Sequence, residues 1–329
     1  MRKLSIVFRA VAVARPAAAV LLVCSLLAGC GGGSDGNPQV PGKVNVVTTF
    51  YPLYFLAKEI GGSDAHVVNL VPAGVEPHDW TPKSKDLKIA SGAQLFIYNG
   101  AGFEGWSDGF LKGLSSDAQP VRVEASRGIA LIDSEGETEE DHDHGDHGDH
   151  ADHDHGATDP HTWVSPKSAT IMAGNIRDAF VQADPDHKAA YDSRYAQLAE
   201  KLRELDEEYA KGLAPSAGKD IVVSHQAFAY LCRDYGLRQV SVMGLSPEAE
   251  PRSQDIAGII RYIEEHQIPY IFFEQLASGS LAEVIAKDTG ARPLVLNPLE
   301  GLTPDQEQAG EDYFSLMRTN LQNLRIALE

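Results

Sequence analysis

Residues 185–211, PDHKAAYDSRYAQLAEKLRELDEEYAK, predict a single long amphipathic helix. The larger apolar side chains in this segment recur in steps of four and three residues, which places them on one stripe of a helix. They are Tyr191, Tyr195, Leu198, Leu202, Leu205 and Tyr209. Asp184 suits the N-cap, Pro185 suits the first turn, and Gly212 suits the end of the helix. At 1.5 Å per residue, such a helix is about 40 Å long, which is enough to join two lobes rigidly.

On both sides of this helix, short apolar runs alternate with amphipathic segments. The predicted strands are 44–48, 67–71, 94–98, 221–223, 239–242, 270–273 and 293–296. The predicted helices are 52–60, 83–90, 227–235, 254–266, 281–289 and 304–328. Alternation of strand and helix predicts parallel sheets covered by helices. The fold class is therefore α/β, with two lobes that are each a mainly parallel sheet flanked by helices and that one long rigid helix joins.

The pattern also sets the boundaries of the predicted segments. We expect an export signal at 1–30, a flexible tether at 31–43, a first lobe at 44–184, the linking helix at 185–212 and a second lobe at 213–329. The tether sequence GGGSDGNPQVPG, residues 31–42, consists mostly of Gly, Pro and small polar residues, which is typical of a flexible linker.

The N-terminal segment has the pattern of a secretory signal. A basic start precedes PAAAVLLVCSLLAG, residues 16–29, which is shorter than the about 20 apolar residues that cross a membrane. Residues 27–30, LAGC, resemble a bacterial lipobox, in which Cys30 becomes the lipidated N-terminus. An ordinary signal peptide with a chance cysteine is the alternative. Lipidation would hold the protein on a membrane without spanning it, at the outer face of the cytoplasmic membrane or in the periplasm.

The net charge excludes two classes of partner and directs attention to one tract. Twenty-eight Lys and Arg against 47 Asp and Glu give a net charge of −19, which argues against nucleic acid and against broad binding to anionic membranes. The most acidic tract is EEDHDHGDHGDHADHDHG, residues 139–156. Its histidines are His142, His144, His147, His150, His153 and His155. With no apolar side chain larger than Ala, the region of about 134–158 is predicted to be a disordered loop with several weak sites for divalent cations, or else merely a solvated charged loop.

Three further histidines lie just after predicted strands or in loops. They are His78 in VPAGVEPHDW, His161 in DPHTWVSP and His225 in VVSHQAFAY. In open α/β sheets the ligand site lies at the carboxyl ends of the strands, and His78 and His225 are both placed there. A single histidine is more often a surface or core residue than a metal ligand, so each needs suitable company.

Four motifs that resemble those of a known family indicate further ligands for these histidines. EPHDWTPKSKD, DPHTWVSP, SHQAFAYLCRDYGL and SPEAEP, in this order and spacing, resemble the metal-binding class of ABC-transporter solute-binding lipoproteins. With the His-rich loop, the sequence is most similar to the zinc-importer type. The resemblance implies two α/β lobes joined by a long helix. It also implies a metal site between the lobes, with His78, His161 and His225 as ligands.

The fourth ligand depends on a segment where this sequence departs from part of the family. Many members carry an Asp in an LDPL-like segment, whereas residues 296–300 here are LNPLE. Asn297 replaces that Asp and would be a poor, neutral ligand. Members with the NPLE pattern use the glutamate, which maps onto Glu300. Water and Glu274 remain alternatives, and Glu274 or Asp159 could instead orient a ligand histidine.

The resemblance predicts a function as well as a site. Three imidazoles and one carboxylate suit tetrahedral Zn²⁺, whereas Mn²⁺ prefers more oxygen ligands, so zinc is favoured over manganese. We expect a monomeric binding protein that captures Zn²⁺ outside the membrane and delivers it to an ABC permease. Manganese transport within the same family, and an adhesin or metal-storage lipoprotein, are alternatives. A zinc hydrolase is disfavoured, because the chain has no HExxH motif and a fourth protein ligand would close the site.

Overall fold

The computed structural model describes residues 39–114, 119–133, 158–247, 251–277 and 280–329. The predicted export signal, Cys30, most of the tether and the six histidines of the His-rich tract lie outside the described residues. Among the helices that are described, none has both the length and the apolar character needed to cross a membrane.

The first lobe is built on a four-stranded parallel sheet of order β2-β1-β3-β4. Its elements in chain order are β1 (Val44–Thr48), α1 (Tyr51–Gly61), β2 (Ala65–Asn69), α2 (Ser84–Ala90), β3 (Leu95–Tyr98), α3 (Ser107–Lys112), β4 (Val121–Glu124) and α4 (Pro166–Ala183). Strand β1 pairs with β2 on one side and with β3 on the other, with Val46 opposite Val67 and Leu95. Strand β2 is therefore added on one side of β1, and β3 and β4 on the other. A ligand crevice opens at such a switch point, between β1 and β3.

The second lobe repeats this topology with the order β6-β5-β7-β8, again all parallel. Its elements are β5 (Asp220–Val223), α6 (Ala229–Tyr235), β6 (Arg238–Ser241), α7 (Ser253–His266), β7 (Tyr270–Phe273), α8 (Ser280–Thr289), β8 (Arg292–Val295), α9 (Pro304–Ala309) and α10 (Tyr313–Leu328). The corresponding switch point lies between β5 and β7. Both lobes belong to one compact unit, Asn37–Glu329.

The long helix α5 (Lys188–Leu213) joins the two sheets. Five of the six predicted stripe residues are buried, and the sixth, Tyr195, is partly buried against the core. The helix packs against α1 and α4 of the first lobe and against α6 and α10 of the second. One hydrophobic cluster therefore runs through both lobes and the helix between them. The predicted α/β fold of two parallel-sheet lobes and a long helix is confirmed.

Some elements differ from the sequence prediction. The structure adds α3, β4 and α4, which the sequence analysis did not predict. The segment 304–328 is two helices rather than one, because Gly310 adopts a left-handed φ of 74° after α9 and Asp312 caps a new helix. The long helix begins at Lys188, after a short 3-10 turn at Pro185–His187. None of these differences moves a candidate site residue.

Candidate metal centre

Four side chains converge between the two lobes. His78 Nε2 lies 3.2 Å from Glu300 Oε1, His161 Nε2 lies 3.4 Å from it, and His225 Nε2 lies 3.5 Å from it. The Nε2 atom of His161 is 3.2 Å from that of His78 and 3.3 Å from that of His225. A tetrahedral ion with bonds of 2.0–2.2 Å has ligand atoms about 3.3–3.6 Å apart. Five of the six separations among these four atoms are therefore close to those of a tetrahedral zinc site, and all four atoms lie within 4.8 Å of one another.

Each lobe contributes two members of this group. His225 comes two residues after β5, and Glu300 lies in the loop between β8 and α9. His78 lies in the long loop between β2 and α2, and His161 directly precedes a 3-10 turn at Thr162–Val164. His161, His225 and Glu300 are at most 1% exposed, and His78 is partly buried. Among the described residues, this is the only group of three or more His, Cys, Asp or Glu side chains whose ligand atoms come this close together.

Two of the histidines are oriented by carboxylates on their other ring nitrogen. His161 Nδ1 lies 2.8 Å from Asp159 Oδ1, and His225 Nδ1 lies 2.5 Å from Glu274 Oε1. Glu274 also accepts a hydrogen bond from the Ser224 hydroxyl. A carboxylate at Nδ1 fixes the proton there and leaves Nε2 free to coordinate a metal. Asp159 and Glu274 thus have the geometry of orienting partners, and neither belongs to the converging group of four.

Asn297 shapes the loop that presents Glu300. Its Oδ1 accepts a hydrogen bond from the Leu299 amide at 2.7 Å, and its Nδ2 donates to Gln275 Oε1 at 3.2 Å. Its backbone is held at both polar atoms by the side chain of Asn320, at 2.8 and 2.7 Å. Leu299 has a φ of 61°, which is unfavourable for a residue with a side chain and needs such support. Asn297 is therefore committed to the turn and lies outside the group of candidate ligands.

The charges of the group support one another in the absence of an ion. Burial acts to raise the pKa of Glu300, but hydrogen bonds from the three histidines hold it well below its usual range. Burial acts to lower the pKa of His225, but Glu274 and Glu300 raise it to about 10. The pKa of His161 is also raised, because Asp159 and Glu300 outweigh its burial. Without a metal, the protons on His161 and His225 therefore supply positive charge beside Glu300. A bound divalent cation would replace that charge.

Glu76 is a site neighbour that the sequence analysis did not single out. Its carboxylate accepts hydrogen bonds from the backbone amides of His78 at 3.0 Å and Asp79 at 3.2 Å. Burial, with the nearby charge of Glu300, raises the pKa of Glu76 to about 8. Its position within the EPHDW motif was the available signal. The motif thus carries one candidate ligand and the residue that shapes that ligand's loop.

Comparison with known proteins now decides the family. The model of the family described as "Zinc-uptake complex component A periplasmic", ZnuA, matches residues 46–327. The chain belongs to the ZnuA family. This confirms the resemblance to the metal-binding class of solute-binding proteins, of the zinc type.

Individual members of the ZnuA family are similar over most of the chain. The zinc-binding lipoprotein AdcA of Streptococcus pneumoniae is 40% identical over 306 residues, which cover 93% of this chain and 60% of AdcA. The chain thus matches only about three fifths of the length of this relative. The high-affinity zinc uptake system protein ZnuA of Bacillus subtilis is 39% identical over 94% of this chain and 96% of its own length.

A solved structure shows the same fold. The crystal structure of the Zn(II)-bound ZnuA-like domain of Streptococcus pneumoniae AdcA matches with a TM-score of 0.73 and 36% identity. The match covers 87% of this chain and 99% of that domain. The two-lobed architecture is therefore shared with a structure that was solved with zinc bound.

Proposed function

We propose that this protein binds Zn²⁺ through His78, His161, His225 and Glu300 and serves as the extracytoplasmic binding component of an ABC importer. The observation that carries the proposal is the spacing of the four atoms, 3.2–3.5 Å along the five separations given above. Three imidazoles and one carboxylate are a normal zinc ligand set. The naming of similar proteins as zinc-binding supports the same metal.

The ligand set favours zinc over manganese. All three histidines face the same oxygen of Glu300, Oε1, so the carboxylate would coordinate through one atom. Mn²⁺ prefers octahedral coordination rich in oxygen, and three imidazole nitrogens with one carboxylate oxygen do not supply it. A tetrahedral ion filled by four protein atoms has no open position for a reacting water. The geometry therefore suits capture and release of an ion rather than hydrolysis.

The remaining parts of the proposal concern how the protein works in the cell. Lipidation at Cys30 would keep the protein at the outer face of the cytoplasmic membrane or in the periplasm. The protein would act there as a monomer. The six histidines of the 139–156 tract would gather Zn²⁺ weakly and raise its concentration near the tight site. Docking on the permease would then disturb the four ligands and release the ion. The name of the similar protein AdcA, a zinc-binding lipoprotein, supports the lipid anchor in this proposal.

Metal analysis of the purified protein, with a competition titration of Zn²⁺ against Mn²⁺, tests the metal. We expect one tight zinc per chain, which excess Mn²⁺ does not displace, because the ligand set lacks the oxygens that Mn²⁺ needs. Tight manganese that zinc fails to displace would overturn the zinc assignment in favour of the manganese alternative.

The His225→Ala variant tests the ligand assignment. It should weaken zinc binding by about two orders of magnitude or more, because the site loses one of four donors. Chelator competition measures the affinity. His266→Ala serves as the control, because His266 is exposed at the end of α7. Unchanged tight binding in His225→Ala would refute the assignment.

A further inference from the structure

Glu104 is a buried carboxylate that lies outside the group of four ligands. It is 6% exposed and accepts three hydrogen bonds, all from uncharged donors. Oε1 accepts from the Thr49 hydroxyl at 2.6 Å and from the Asn99 amide at 2.8 Å, and Oε2 accepts from the Gly100 amide at 3.1 Å. Burying a carboxylate is costly, and here it raises the pKa of Glu104 to about 7. Such a cost requires a benefit elsewhere in the fold.

The three donors define what Glu104 holds in place. Thr49 directly follows β1, and Asn99 and Gly100 directly follow β3. These strand ends flank the switch point of the first sheet. Glu104 therefore ties the turn 99–104 to the end of the neighbouring strand.

This turn would not keep its shape unaided. Gly100, Ala101 and Gly102 all have left-handed φ values, of 83°, 51° and 84°. Glycine tolerates such values, but Ala101 does so only at a cost. Three consecutive residues in this conformation need fixed contacts at their ends. Glu104 supplies these through the amides of Asn99 and Gly100.

One end of the turn grips the segment that carries His161. The side chain of Asn99, which is fully buried, donates from Nδ2 to the carbonyl of Pro160 at 2.8 Å and accepts at Oδ1 from the Thr162 hydroxyl at 2.9 Å. These two bonds bracket His161 from both sides along the chain. A displacement of Asn99 would thus move the backbone of a candidate ligand.

The other end of the turn supports His78. Phe103 is the residue before Glu104. Its ring packs edge-to-face against the His78 imidazole, with the two ring centroids 4.9 Å apart. The same ring contacts Trp163 at 5.0 Å, and Trp163 in turn contacts His161 at 5.2 Å. One anchored turn therefore touches the surroundings of two of the four candidate ligands.

We infer that Glu104 is a positioning residue of the metal centre, which fixes His78 and His161 through the turn 99–104. The inference rests on the proposed zinc-binding function. An amide cannot replace the carboxylate, because Glu104 receives donors at both oxygens. A glutamine would direct its NH₂ group at one of them and leave a buried donor unpaired.

The test compares Glu104→Gln with Asp86→Asn and measures three properties. Asp86 is 3% exposed in the same lobe and caps α2 through the Lys83 amide at 2.7 Å, so it is a matched buried carboxylate. The properties are the Kd for Zn²⁺ by chelator competition, the d–d absorption of the Co²⁺-loaded protein, and the denaturant midpoint of the metal-free protein. The Co²⁺ spectrum reports ligand geometry, which a purely structural role would not change.

Glu104→Gln should raise the Kd for Zn²⁺ about tenfold or more and shift the Co²⁺ bands. Asp86→Asn should leave the Kd and the bands as in the wild type, even where its denaturant midpoint falls equally. Thr49→Val, which removes one donor with little change of shape, should act as Glu104→Gln does but more weakly, and it decides the matter if Glu104→Gln does not fold.

Three results would overturn the inference. One is a wild-type Kd and Co²⁺ spectrum in Glu104→Gln, or in Thr49→Val if that variant must decide. The second is an equal shift of both readouts in Asp86→Asn. The third is a wild-type protein that binds no zinc tightly, which would refute the proposed function itself and is distinguishable from the first two.

Discussion

At the residue scale, the carboxylates that contact the histidines are placed as precisely as the candidate ligands themselves. Glu274 contacts Nδ1 of His225 and is itself bonded by Ser224, so the ring has one preferred orientation. We predict that Glu274→Gln weakens zinc binding about 10- to 100-fold, because the amide carries no charge to support the ring. Chelator competition measures the loss. Glu264→Gln, at an exposed position of α7, should bind as the wild type does, and a Glu274→Gln variant with unchanged affinity would contradict the prediction.

The shifted pKa values predict proton release on zinc binding. The pKa of His225 is raised to about 10, so its imidazole carries a proton at pH 7 in the metal-free protein. Zinc coordinates only the neutral imidazole, so the ion must displace that proton. Glu300, with its lowered pKa, stays ionised over the same range. Affinity should therefore rise with pH until about pH 10, where the His225 imidazole loses its proton without the metal.

Calorimetry in two buffers of different ionisation enthalpy measures this release. We expect a binding enthalpy at pH 7 that depends on the buffer, corresponding to at least one proton released per zinc. A binding enthalpy that is identical in both buffers would show that the histidines are already neutral. The His266→Ala variant should release the same number of protons as the wild type, because His266 lies outside the site.

The sequence alone could suggest the candidate ligands but not the residues that hold them. His78, His161 and His225 each lie in a short motif, and Glu300 lies three residues after the Asn297 that departs from the family pattern. Whether they are the ligands stays a prediction until metal binding is measured. Glu104 lies in no comparable pattern. Its partner Thr49 is 55 residues away in the chain, and such pairings arise only when the sheet forms.

At the element scale, two of the elements that the sequence analysis did not predict carry a periodic apolar signal that was overlooked. Strand β4, VRVE, does alternate apolar and polar residues, but it is only four residues long and lies at the edge of the sheet, where only Val123 is buried and Val121 is 49% exposed. Helix α4 carries a helical period as well, since Met172, Ile176 and Phe180 are buried at steps of four residues, with the small residues Ala169 and Ala173 on the same face. Close packing of small side chains against α5 explains why the helix forms there.

Local sequence signals mark the break between α9 and α10, although the apolar period favours one continuous helix. The sequence predicts one helix over 304–328, and the first of the two observed helices begins with Thr303 as its N-cap and Gln306 completing the capping box. Gly310 in the left-handed region and the capping box of Asp312 and Ser315 end one helix and start another. The local signals were therefore as informative as the apolar period that favoured continuity.

Two helical glycines predict opposite effects on stability. Gly258 lies within α7, and a Cβ added there would meet no atom within 4 Å. Gly258→Ala should therefore raise the free energy of unfolding by about 0.5–1 kcal/mol through better helix propensity. At Gly61 in α1 the added Cβ would lie 2.5 Å from the Ala65 Cβ, so Gly61→Ala should lower it by about 1–3 kcal/mol.

Urea unfolding of the metal-free protein measures both glycine variants, because bound zinc would add its own stabilisation. The two substitutions are chemically identical, so each serves as the control of the other. A destabilised Gly258→Ala, or a Gly61→Ala variant as stable as the wild type, would contradict the packing argument.

At the scale of the whole molecule, the segment 159–165 fastens the lobes to each other. The Trp163 indole donates to the carbonyl of Pro298 at 2.7 Å, and the Tyr313 hydroxyl donates to the carbonyl of Trp163 at 2.8 Å. The Tyr230 hydroxyl donates to the carbonyl of Asp159 at 2.7 Å. All three contacts are buried and join residues of the His161 segment to the second lobe. Wide separation of the lobes would break them together.

Helix α5 adds a second restraint. It packs against both lobes along one buried stripe, and the hydroxyl of Tyr209 donates to the carbonyl of Met317 in α10 at 2.6 Å. A helix held along its length bends little, so it resists a large change of angle between the lobes. Zinc must then enter and leave through local movement, and His78 is the most exposed of the four candidate ligands.

Small-angle X-ray scattering with and without zinc tests this restraint. We predict that the radius of gyration hardly changes when a chelator removes the metal, because the lobe contacts and α5 do not depend on the ion. Deleting residues 137–156 from both samples confines the comparison to the two lobes. Tyr313→Phe removes one of the lobe contacts. Its radius of gyration should exceed that of the wild type slightly if that contact limits the separation of the lobes. A clear expansion of the wild type on zinc removal would mean that the lobes themselves open, and the ion would then leave by hinge motion rather than past His78.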